Sequence, residues 1–291
     1  MKLNNKDIQI KSYGCNYLGE PGKSIDPYVN IFVKVTNGCN AKCLFCSNAD
    51  SVNANIFNVS KLFDVINEIQ EAGISINRIN ITGGEPSLVP DRVFEILEKA
   101  GNNEFSDMHF HLNTNGVLPQ AQELMQHPRW NSISMSVHHY DCSILSHIYG
   151  KKVSESAFEL SNIDKRKINF SCNLIRGYID SPLQAHRMLD FALNHDILRI
   201  GFVALMPISD YCRSQFVDLE EIALDSIPNV YYTYSKDRGE DCKCSNYLYN
   251  RGLKILEIYM RNYMNPLYCE SSLVYDGEFL RQGFQNDNII C

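Results

Sequence analysis

Three cysteines lie within eight residues, in the segment Cys39-Asn-Ala-Lys-Cys43-Leu-Phe-Cys46. Thiolate sulfur is a soft ligand that suits zinc, copper(I) and iron–sulfur clusters. A [4Fe–4S] cluster ordinarily takes four cysteine thiolates, one for each iron. Three cysteines at these spacings, with no fourth nearby, predict a cluster that leaves one iron open to a small molecule. That arrangement serves chemistry rather than structural support.

A second motif, Thr82-Gly-Gly-Glu-Pro86, follows about forty residues later. In this order and at this separation, the two motifs resemble those of the radical S-adenosylmethionine superfamily, in which an aromatic residue usually precedes the last cysteine. The resemblance implies that the open iron binds the amino and carboxylate groups of S-adenosylmethionine. It assigns cluster ligation to Cys39, Cys43 and Cys46, and contact with the cofactor to Phe45, Gly83, Gly84 and Glu85.

The alternative for the cysteine segment is a zinc site, or a set of buried free thiols, in a protein without catalytic activity. Structural zinc sites combine one Cys/His pair with a second pair at a fixed spacing, and no such pair lies near residues 39–46. The two glycines of the second motif allow close approach of the backbone to a ligand because they lack a Cβ. The carboxylate of Glu85 is expected beside the ammonium of the cofactor.

The composition is that of a globular protein and limits its partners. The 291 residues suffice for one α/β barrel with a small appendage. A net charge of −7 and a pI near 5.6 argue against a nucleic-acid-binding surface. No apolar run reaches the length of a membrane span, and the first residues lack the pattern of a signal peptide. Eleven cysteines in such a chain indicate reduced thiols and metal ligation, so we expect a cytoplasmic protein.

Strand-like and helix-like stretches alternate from residue 28 onward. The predicted strands are residues 29–35, 78–82, 108–113, 132–138, 168–175 and 199–206, and the predicted helices are residues 60–72, 91–100, 120–126, 141–160, 182–195 and 219–225. Serial β–α units give a parallel sheet with helices on its outer face, and the family resemblance makes this α/β fold a partial (β/α)6 TIM-like barrel. We expect a lead-in over residues 1–27, the radical SAM barrel over 28–226 and a C-terminal extension over 227–291.

Alternation along the first five predicted strands separates an apolar face from a polar one. Successive strand side chains point to opposite sides of a sheet, so the apolar set should pack on the helices. The opposite set is polar in nearly every layer and includes His109, His111 and His138. Because buried polar groups need partners, this lining predicts water or a polar ligand in the barrel lumen. The sixth strand shows no clear alternation.

Strand by strand, the chain is most similar to the branch of the superfamily that contains the molybdopterin-precursor cyclase. That resemblance adds Ser136 and Met206 as cofactor contacts, and Asn80, Asn113 and Arg176 as substrate contacts. Strand parity adds Asn173 as a cofactor contact and His138 as a substrate contact. The chain lacks the cyclase's pair of C-terminal glycines and its Cys-x2-Cys cluster followed by arginines, so we expect a different enzyme.

The C-terminal third carries further cysteines ahead of a hairpin signal at Asp276-Gly277. Superfamily relatives often have a short auxiliary-cluster region here, of the twitch or SPASM type, built on such a hairpin. We therefore expect a second iron–sulfur cluster, although loop thiols without a metal are the alternative. The predicted ligands are Cys242, Cys244 and Cys269, with Cys291, Cys212 or an external molecule as the fourth.

The chemistry implied by the resemblance is reductive cleavage of the cluster-bound cofactor to a 5′-deoxyadenosyl radical, which takes a hydrogen atom from the substrate. The polar lumen favours a small polar substrate such as a nucleotide, sugar or amino-acid derivative. An enzyme that modifies a ribosomally made peptide is the alternative, and a non-catalytic metal-binding protein is a third. An external one-electron donor such as flavodoxin or ferredoxin is the expected partner. The motifs leave oxidoreductase, lyase and transferase chemistry open.

Overall fold

The computed structural model describes residues 2–3, 6–8, 28–47, 57–101, 105–234, 244–262, 272–283 and 289–291. Its strands are β1 (Lys2–Leu3), β2 (Lys6–Asp7), β3 (Tyr28–Lys34), β4 (Ser75–Thr82), β5 (Phe110–Thr114), β6 (Ser132–Ser136), β7 (Ile168–Leu174), β8 (Arg199–Ala204), β9 (Val230–Tyr234), β10 (Ser245–Arg251), β11 (Lys254–Arg261), β12 (Ser272–Tyr275) and β13 (Leu280–Gln282). Its α-helices are α1 (Val59–Glu71), α2 (Pro90–Gly101), α3 (Pro119–Met125), α4 (Cys142–Tyr149), α5 (Pro182–Asn194) and α6 (Asp210–Ser214). Short 3₁₀ helices lie at Pro86–Leu88, Glu155–Phe158, Lys165–Lys167, Leu219–Ile222 and Leu224–Ser226.

Eleven of these strands form one sheet, in the order β13-β12-β3-β4-β5-β6-β7-β8-β11-β10-β9. The six strands from β3 to β8 are neighbours and parallel, and one α-helix connects each of them to the next. Within the described residues β13 and β9 remain the two edges, so the sheet does not close. The predicted partial barrel is confirmed. We call the C-terminal ends of its parallel strands the rim.

The strands from the C-terminal extension lengthen this same sheet on both sides. β11 pairs parallel with β8, and β12 pairs parallel with β3. The predicted hairpin is confirmed, since β12 turns back into antiparallel β13 with Tyr275 opposite Leu280. The carboxylate of Asp276 fixes the turn by accepting hydrogen bonds from the backbone N–H groups of Glu278 and Phe279 (3.1 and 2.8 Å).

Two of the predicted helices are wrong in extent, and each departure has a local cause. The helix predicted over residues 141–160 ends at Tyr149, because Gly150 adopts a left-handed conformation (φ 60°) that terminates helices. A 3₁₀ turn at Glu155–Phe158 replaces its second half. The helix predicted over residues 219–225 is two 3₁₀ turns, separated by the left-handed residue Ala223 (φ 42°).

The division of the strands into an apolar and a polar face holds in the structure. Ile31, Val33 and Ile81 are fully buried on the outer face. The polar face lines the lumen, and hydrogen bonds close the half of it farther from the rim. Ser132 Oγ lies 3.0 Å from His109 Nε2 and 2.7 Å from His111 Nδ1. Burial lowers the pKa of His109 to about 4 and that of His111 well below its usual range, so both rings are neutral.

The sixth barrel strand alternates as well. Ile200, Phe202 and Ala204 of β8 are buried, while Gly201 and Val203 turn toward the lumen. Glycine and valine give the inner face no polar signature, which hides the alternation in the sequence. In the part of the chain that the structure describes, no helix is both long and apolar enough to span a membrane.

Candidate active site

The cysteine loop, residues 35–47, begins at the rim where β3 ends. Backbone hydrogen bonds hold it on two sides. Lys42 N donates to Tyr149 O at the end of α4 (2.7 Å), and Glu85 N donates to Gly38 O (2.8 Å). The loop therefore rests on an outer helix on one side and on the second motif on the other.

The three thiols of this loop differ in exposure and affect one another electrostatically. Cys39 is exposed, whereas Cys43 and Cys46 are half-buried. Burial, with smaller contributions from Cys46 and Cys39, raises the pKa of Cys43 to about 12, and burial also raises the pKa of Cys39. Among the described residues no three His, Cys, Asp or Glu side chains converge closely enough to hold a metal ion as they stand. Cluster binding therefore requires these thiols to lose their protons and to draw closer together.

The glycines of the second motif serve the cysteine loop directly. Gly83 has a φ of 136°, and a Cβ there would lie 2.3 Å from the carbonyl oxygen of Thr36. A Cβ on Gly84 would lie 1.9 Å from the carbonyl oxygen of Gly38. The sequence predicts that these glycines admit a ligand, and the structure shows that they first admit the backbone of the loop. The two motifs thus pack as one unit.

The carboxylate of Glu85 is fully buried (1% exposed) and directed into the protein. Its Oε1 accepts hydrogen bonds from Ser87 N (3.0 Å), Ser87 Oγ (2.7 Å) and Thr114 Oγ1 (2.7 Å). Its Oε2 accepts from Asn115 N (2.7 Å). The side chain therefore ties the second motif to the end of β5, and what the segment offers to a ligand is its backbone.

A chain of two asparagines fixes the orientation of Asn40 in the cysteine loop. Asn115 Oδ1 accepts from Val117 N (3.0 Å), so Asn115 Nδ2 is the atom that donates to Asn40 Oδ1 (2.7 Å). Asn40 Nδ2 then points the other way, where it is buried and has no hydrogen-bond partner among the described residues. A buried donor without an acceptor is costly. Asn40 Oδ1 also lies 3.9 Å from Cys39 Sγ, so Nδ2 is left without an acceptor in the described loop that carries the three thiols. This free donor and the three thiols fit an iron–sulfur cluster.

His138 lies directly beneath the cysteine loop and is neutral. Its ring meets the ring of Phe45 edge-on, with centroids 4.9 Å apart, and that of Tyr149 at 5.6 Å. Burial lowers its pKa to about 3. Its Nδ1 accepts a hydrogen bond from Asn173 N (3.1 Å), so the ring proton resides on Nε2. His138, a predicted substrate contact, thus touches both Phe45 and Asn173, which are predicted cofactor contacts.

The structure brings the predicted polar contacts on β5, β6 and β7 to the lumen. Asn113, Ser136 and Asn173 are half-buried on its inner face near the rim. Their strands are neighbours, with Asn113 opposite Ser134 and Ser136 opposite Ser171. The three side chains therefore line one continuous wall.

Three other predicted residues lie apart from this wall. Met206 is half-buried just beyond the end of β8. Asn80 is fully buried and donates from Nδ2 to Ile31 O (3.3 Å), which makes it part of the sheet's own bonding. Arg176 is exposed, and its guanidinium forms a two-point ion pair with Glu221 (2.7 and 2.8 Å). The described structure therefore does not bring Arg176 to the lumen.

Of the predicted auxiliary-cluster ligands, Cys242 and Cys269 lie outside the described residues. Cys244 is buried at the rim, where its Sγ accepts a hydrogen bond from Asn262 N (3.3 Å). Cys212 is buried against the cysteine loop, with its Sγ 3.9 Å from Phe45 O. Cys291 is half-buried, and its carbonyl accepts from Leu280 N (2.8 Å). The second cluster stays a prediction.

Two asparagines of the site were missed by the sequence reasoning. Asn40 lies inside the first motif, and Asn115 follows the polar end of β5. A sequence signal for Asn115 exists, because the run Asn113-Thr-Asn115 continues with polar residues beyond residue 113, where the predicted strand ends. Such a run at the rim of a parallel sheet indicates a binding edge.

An open parallel barrel with a three-thiol loop docked on a glycine-rich turn at its rim defines a class of metal-dependent enzymes. A family model described as the Radical SAM superfamily matches residues 33–187, just over half of the chain. The chain belongs to this superfamily, which confirms the predicted family and its enzymatic nature. Members of the superfamily use a [4Fe–4S] cluster and S-adenosylmethionine.

Individual relatives are more distant. The chain is 25% identical over 201 residues to the GTP 3′,8-cyclase of Alkaliphilus oremlandii, a match that covers 65% of this chain and 61% of that enzyme. It is 33% identical over 100 residues to the 7-carboxy-7-deazaguanine synthase of Methanothermobacter thermautotrophicus, covering 33% of this chain and 37% of the other. The chain thus spans less than two thirds of either enzyme.

Among solved structures, the fold is similar to that of SuiB from Streptococcus suis bound to its precursor peptide SuiA. The TM-score is 0.52 at 16% identity, and the match covers 65% of this chain and 42% of that one. At this level of identity the likeness is one of fold, and it supports the assignment of a partial barrel.

Proposed function

We propose that this radical SAM enzyme acts on a small polar substrate held in the barrel lumen. The observation that carries the proposal is the docking of the three-thiol loop, through Gly83 and Gly84, directly above a lumen with polar walls. The names of two relatives refer to GTP and to 7-carboxy-7-deazaguanine, which are small polar molecules. A cytoplasmic location and an external one-electron donor such as flavodoxin or ferredoxin remain part of the proposal.

In this proposal each group of residues near the rim has its own task. With one electron from an external donor, a bound cluster and S-adenosylmethionine would supply radical abstraction of a hydrogen atom from the substrate. The protein holds and orients these groups and keeps competing reactions away. Cys39, Cys43 and Cys46 would hold the cluster, the backbone of Gly83 to Glu85 would meet the cofactor, and Phe45, Ser136, Asn173 and Met206 would contact it as well.

The closed half of the lumen limits where the substrate can lie. His109, His111 and Ser132 fill that half with hydrogen bonds to one another, so the substrate occupies the half nearer the rim. Gly201 leaves this part of the wall without a side chain, and even a Cβ there would meet only backbone oxygens, at 3.9 and 4.0 Å. Asn113 and the Nε2–H group of neutral His138 are the polar groups proposed to meet it.

A second candidate is an enzyme that modifies a peptide with the help of an auxiliary cluster. The observation in its favour is Cys244, a buried thiol at the rim whose sulfur accepts a backbone N–H. Hydrogen bonds to sulfur are a usual feature of iron–sulfur sites and set their potentials. Cys242 and Cys269, with Cys291 or Cys212, are the remaining proposed ligands.

Anaerobic reconstitution with iron and sulfide tests the proposed function. The wild type should bind about four irons per chain if it holds one [4Fe–4S] cluster, or about eight if it holds two. It should also convert S-adenosylmethionine to 5′-deoxyadenosine when reduced. Cys43→Ala should abolish this conversion, whereas Cys142→Ala, which removes a half-buried thiol outside the loop, should retain it. Zinc without iron, or 5′-deoxyadenosine formation by Cys43→Ala, would overturn the proposal.

A further inference from the structure

A buried arginine lies on the lumen wall at the end of β11. Arg261 is 9% exposed, and it shares its face of the strand with Glu257 and Tyr259, opposite the core residues Ile258 and Met260. In register it pairs with Val203 of β8, which in turn pairs with Asn173 of β7. With strands about 4.8 Å apart, Arg261 lies about 10 Å across the inner wall from Asn173.

The described residues accept hydrogen bonds from only one nitrogen of this guanidinium. Nη1 donates to Ser245 O (3.2 Å), Asn246 Oδ1 (2.9 Å) and Met260 O (2.8 Å). The ring of Tyr259 supports the group from one side, with its centroid 5.1 Å away. Arg261 is therefore held in one orientation before any ligand arrives.

The other edge of the guanidinium, formed by Nε and Nη2, has no partner among the described residues. Glu257 is the acid on the same face of the strand, and it is engaged by Tyr259 Oη (2.5 Å) and Arg199 (3.3 Å). Neither Nε nor Nη2 of Arg261 belongs to the fully enclosed unpartnered atoms of the described structure. Arginine is seldom buried without an anion, and this edge matches the two oxygens of a carboxylate or phosphate.

We propose that Arg261 binds an anionic group, a carboxylate or a phosphate, of the substrate. The inference rests on the proposed function, because it places the substrate in the lumen beside the cofactor. It narrows the substrate class from small polar molecules to small anions. The carboxylate of the cofactor belongs at the cluster, which follows β3, and in the sheet order five strands separate β3 from β11.

Calorimetric titration of the full chain with inorganic phosphate, and separately with acetate, tests this site. We expect the wild type to bind at least one of the two ions, with the preferred ion identifying the group. Arg261→Met should bind it about tenfold or more weakly, a loss of about 1.4 kcal/mol, and Arg261→Lys should lie between them. Arg251→Met is the control, since Arg251 lies on the same hairpin but pairs with Asp190 (3.1 Å). No binding by the wild type, or equal binding by Arg261→Met, overturns the proposal.

Measuring the S-adenosylmethionine affinity and the iron content of Arg261→Met shows whether Arg261 instead serves the cofactor or a metal centre. A tenfold loss of S-adenosylmethionine affinity in Arg261→Met would assign the anion to the cofactor and overturn the substrate assignment. A loss of iron in the same variant would assign Arg261 to a metal centre at nearby Cys244, with the same consequence. Anion binding is measured without a reductant. The test of Arg261 therefore gives a result even if the wild type forms no 5′-deoxyadenosine and the proposed function fails.

Discussion

Replacing Gly84 by alanine tests whether the two motifs act as one unit. A Cβ on Gly84 would lie 1.9 Å from the carbonyl oxygen of Gly38, whereas Cβ contacts in proteins essentially never fall below 3.0 Å. The cysteine loop must therefore move by at least 1.1 Å at Gly38, the difference between these two distances. The obstructing atoms are backbone, so no flexible side chain can yield instead.

The displacement breaks two short hydrogen bonds, from Gly84 N to Thr36 O (2.7 Å) and from Glu85 N to Gly38 O (2.8 Å). At about 0.5–1.5 kcal/mol each, their loss removes about 1–3 kcal/mol of the free energy that docks the loop. A misplacement of about 1 Å among reacting groups lowers the rate about 100-fold. We therefore expect the rate of 5′-deoxyadenosine formation by Gly84→Ala to fall about 100-fold while the barrel stays folded.

The assay follows 5′-deoxyadenosine by chromatography after anaerobic reduction, beside iron content and far-ultraviolet circular dichroism. Gly101→Ala is the matched control, because Gly101 ends α2 and a Cβ there would meet no atom within 4 Å. It should retain the wild-type rate. Gly84→Ala with full iron content and the wild-type rate would refute the idea that the loop depends on this contact.

Three further predictions concern buried polar groups of the site. The pKa of His138 is about 3 in the fold against 6.5 for a free histidine, so as the pH falls below 6.5 the unfolded chain takes up the proton first and stability is lost. At pH 5 this loss amounts to about 2 kcal/mol of unfolding free energy. The variant His138→Asn can still accept a hydrogen bond from Asn173 N, so its unfolding free energy, measured by urea titration, should fall by about 2 kcal/mol less than that of the wild type between pH 7 and pH 5. Glu85→Gln should lower the unfolding free energy by about 1–3 kcal/mol, because either orientation of the amide leaves a backbone N–H, of Ser87 or of Asn115, facing an NH₂ group. Asn40→Ala should make the midpoint potential of the reconstituted cluster more negative in a titration monitored by electron paramagnetic resonance, since hydrogen bonds to sulfur favour the reduced state.

Each of these predictions has its own contrary outcome. Equal pH dependence in wild type and His138→Asn would mean that His138 is protonated in the fold. A Glu85→Gln variant as stable as the wild type would show that the buried carboxylate contributes no net bonding. For Asn40, the control is Asn115→Ala, which removes the donor to Asn40 Oδ1 and the acceptor of Val117 N but leaves Asn40 Nδ2 in place. If Asn115→Ala shifts the potential as far as Asn40→Ala does, loop loosening rather than a lost N–H donor is the cause.

The sequence predicts the barrel and the cysteine loop well because both depend on local patterns. Alternation of apolar residues determines which face of each strand meets the helices, and it fails only at β8, where Gly201 and Val203 provide no contrast. Cysteine spacing identifies the loop without any knowledge of the fold. The Asp276-Gly277 turn is equally local, and the hairpin forms where it predicts.

The contacts that complete the site depend on tertiary structure and leave little trace in the chain. Nothing near Gly84 indicates that its missing Cβ makes room for Gly38, or that the carboxylate of Glu85 turns away from the rim to Thr114 and Asn115. Arg261 shows the same limit, because an arginine in an amphipathic strand ordinarily suggests an exposed face. Its burial depends on the pairing of β11 with β8, which the order of elements does not reveal.

The pairing of β12 with β3 has a consequence for biogenesis. Asn30 is in register with Ser272, 242 residues later in the chain, whereas the pairings from β3 to β8 each join consecutive units. Contacts between such distant segments form late, because closing a long loop costs entropy. During translation β3 therefore keeps one edge unpaired until β12 has emerged from the ribosome, and the cysteine loop that follows β3 is attached to an incomplete sheet until then. Delivery of iron and sulfide should accordingly follow the synthesis of β12.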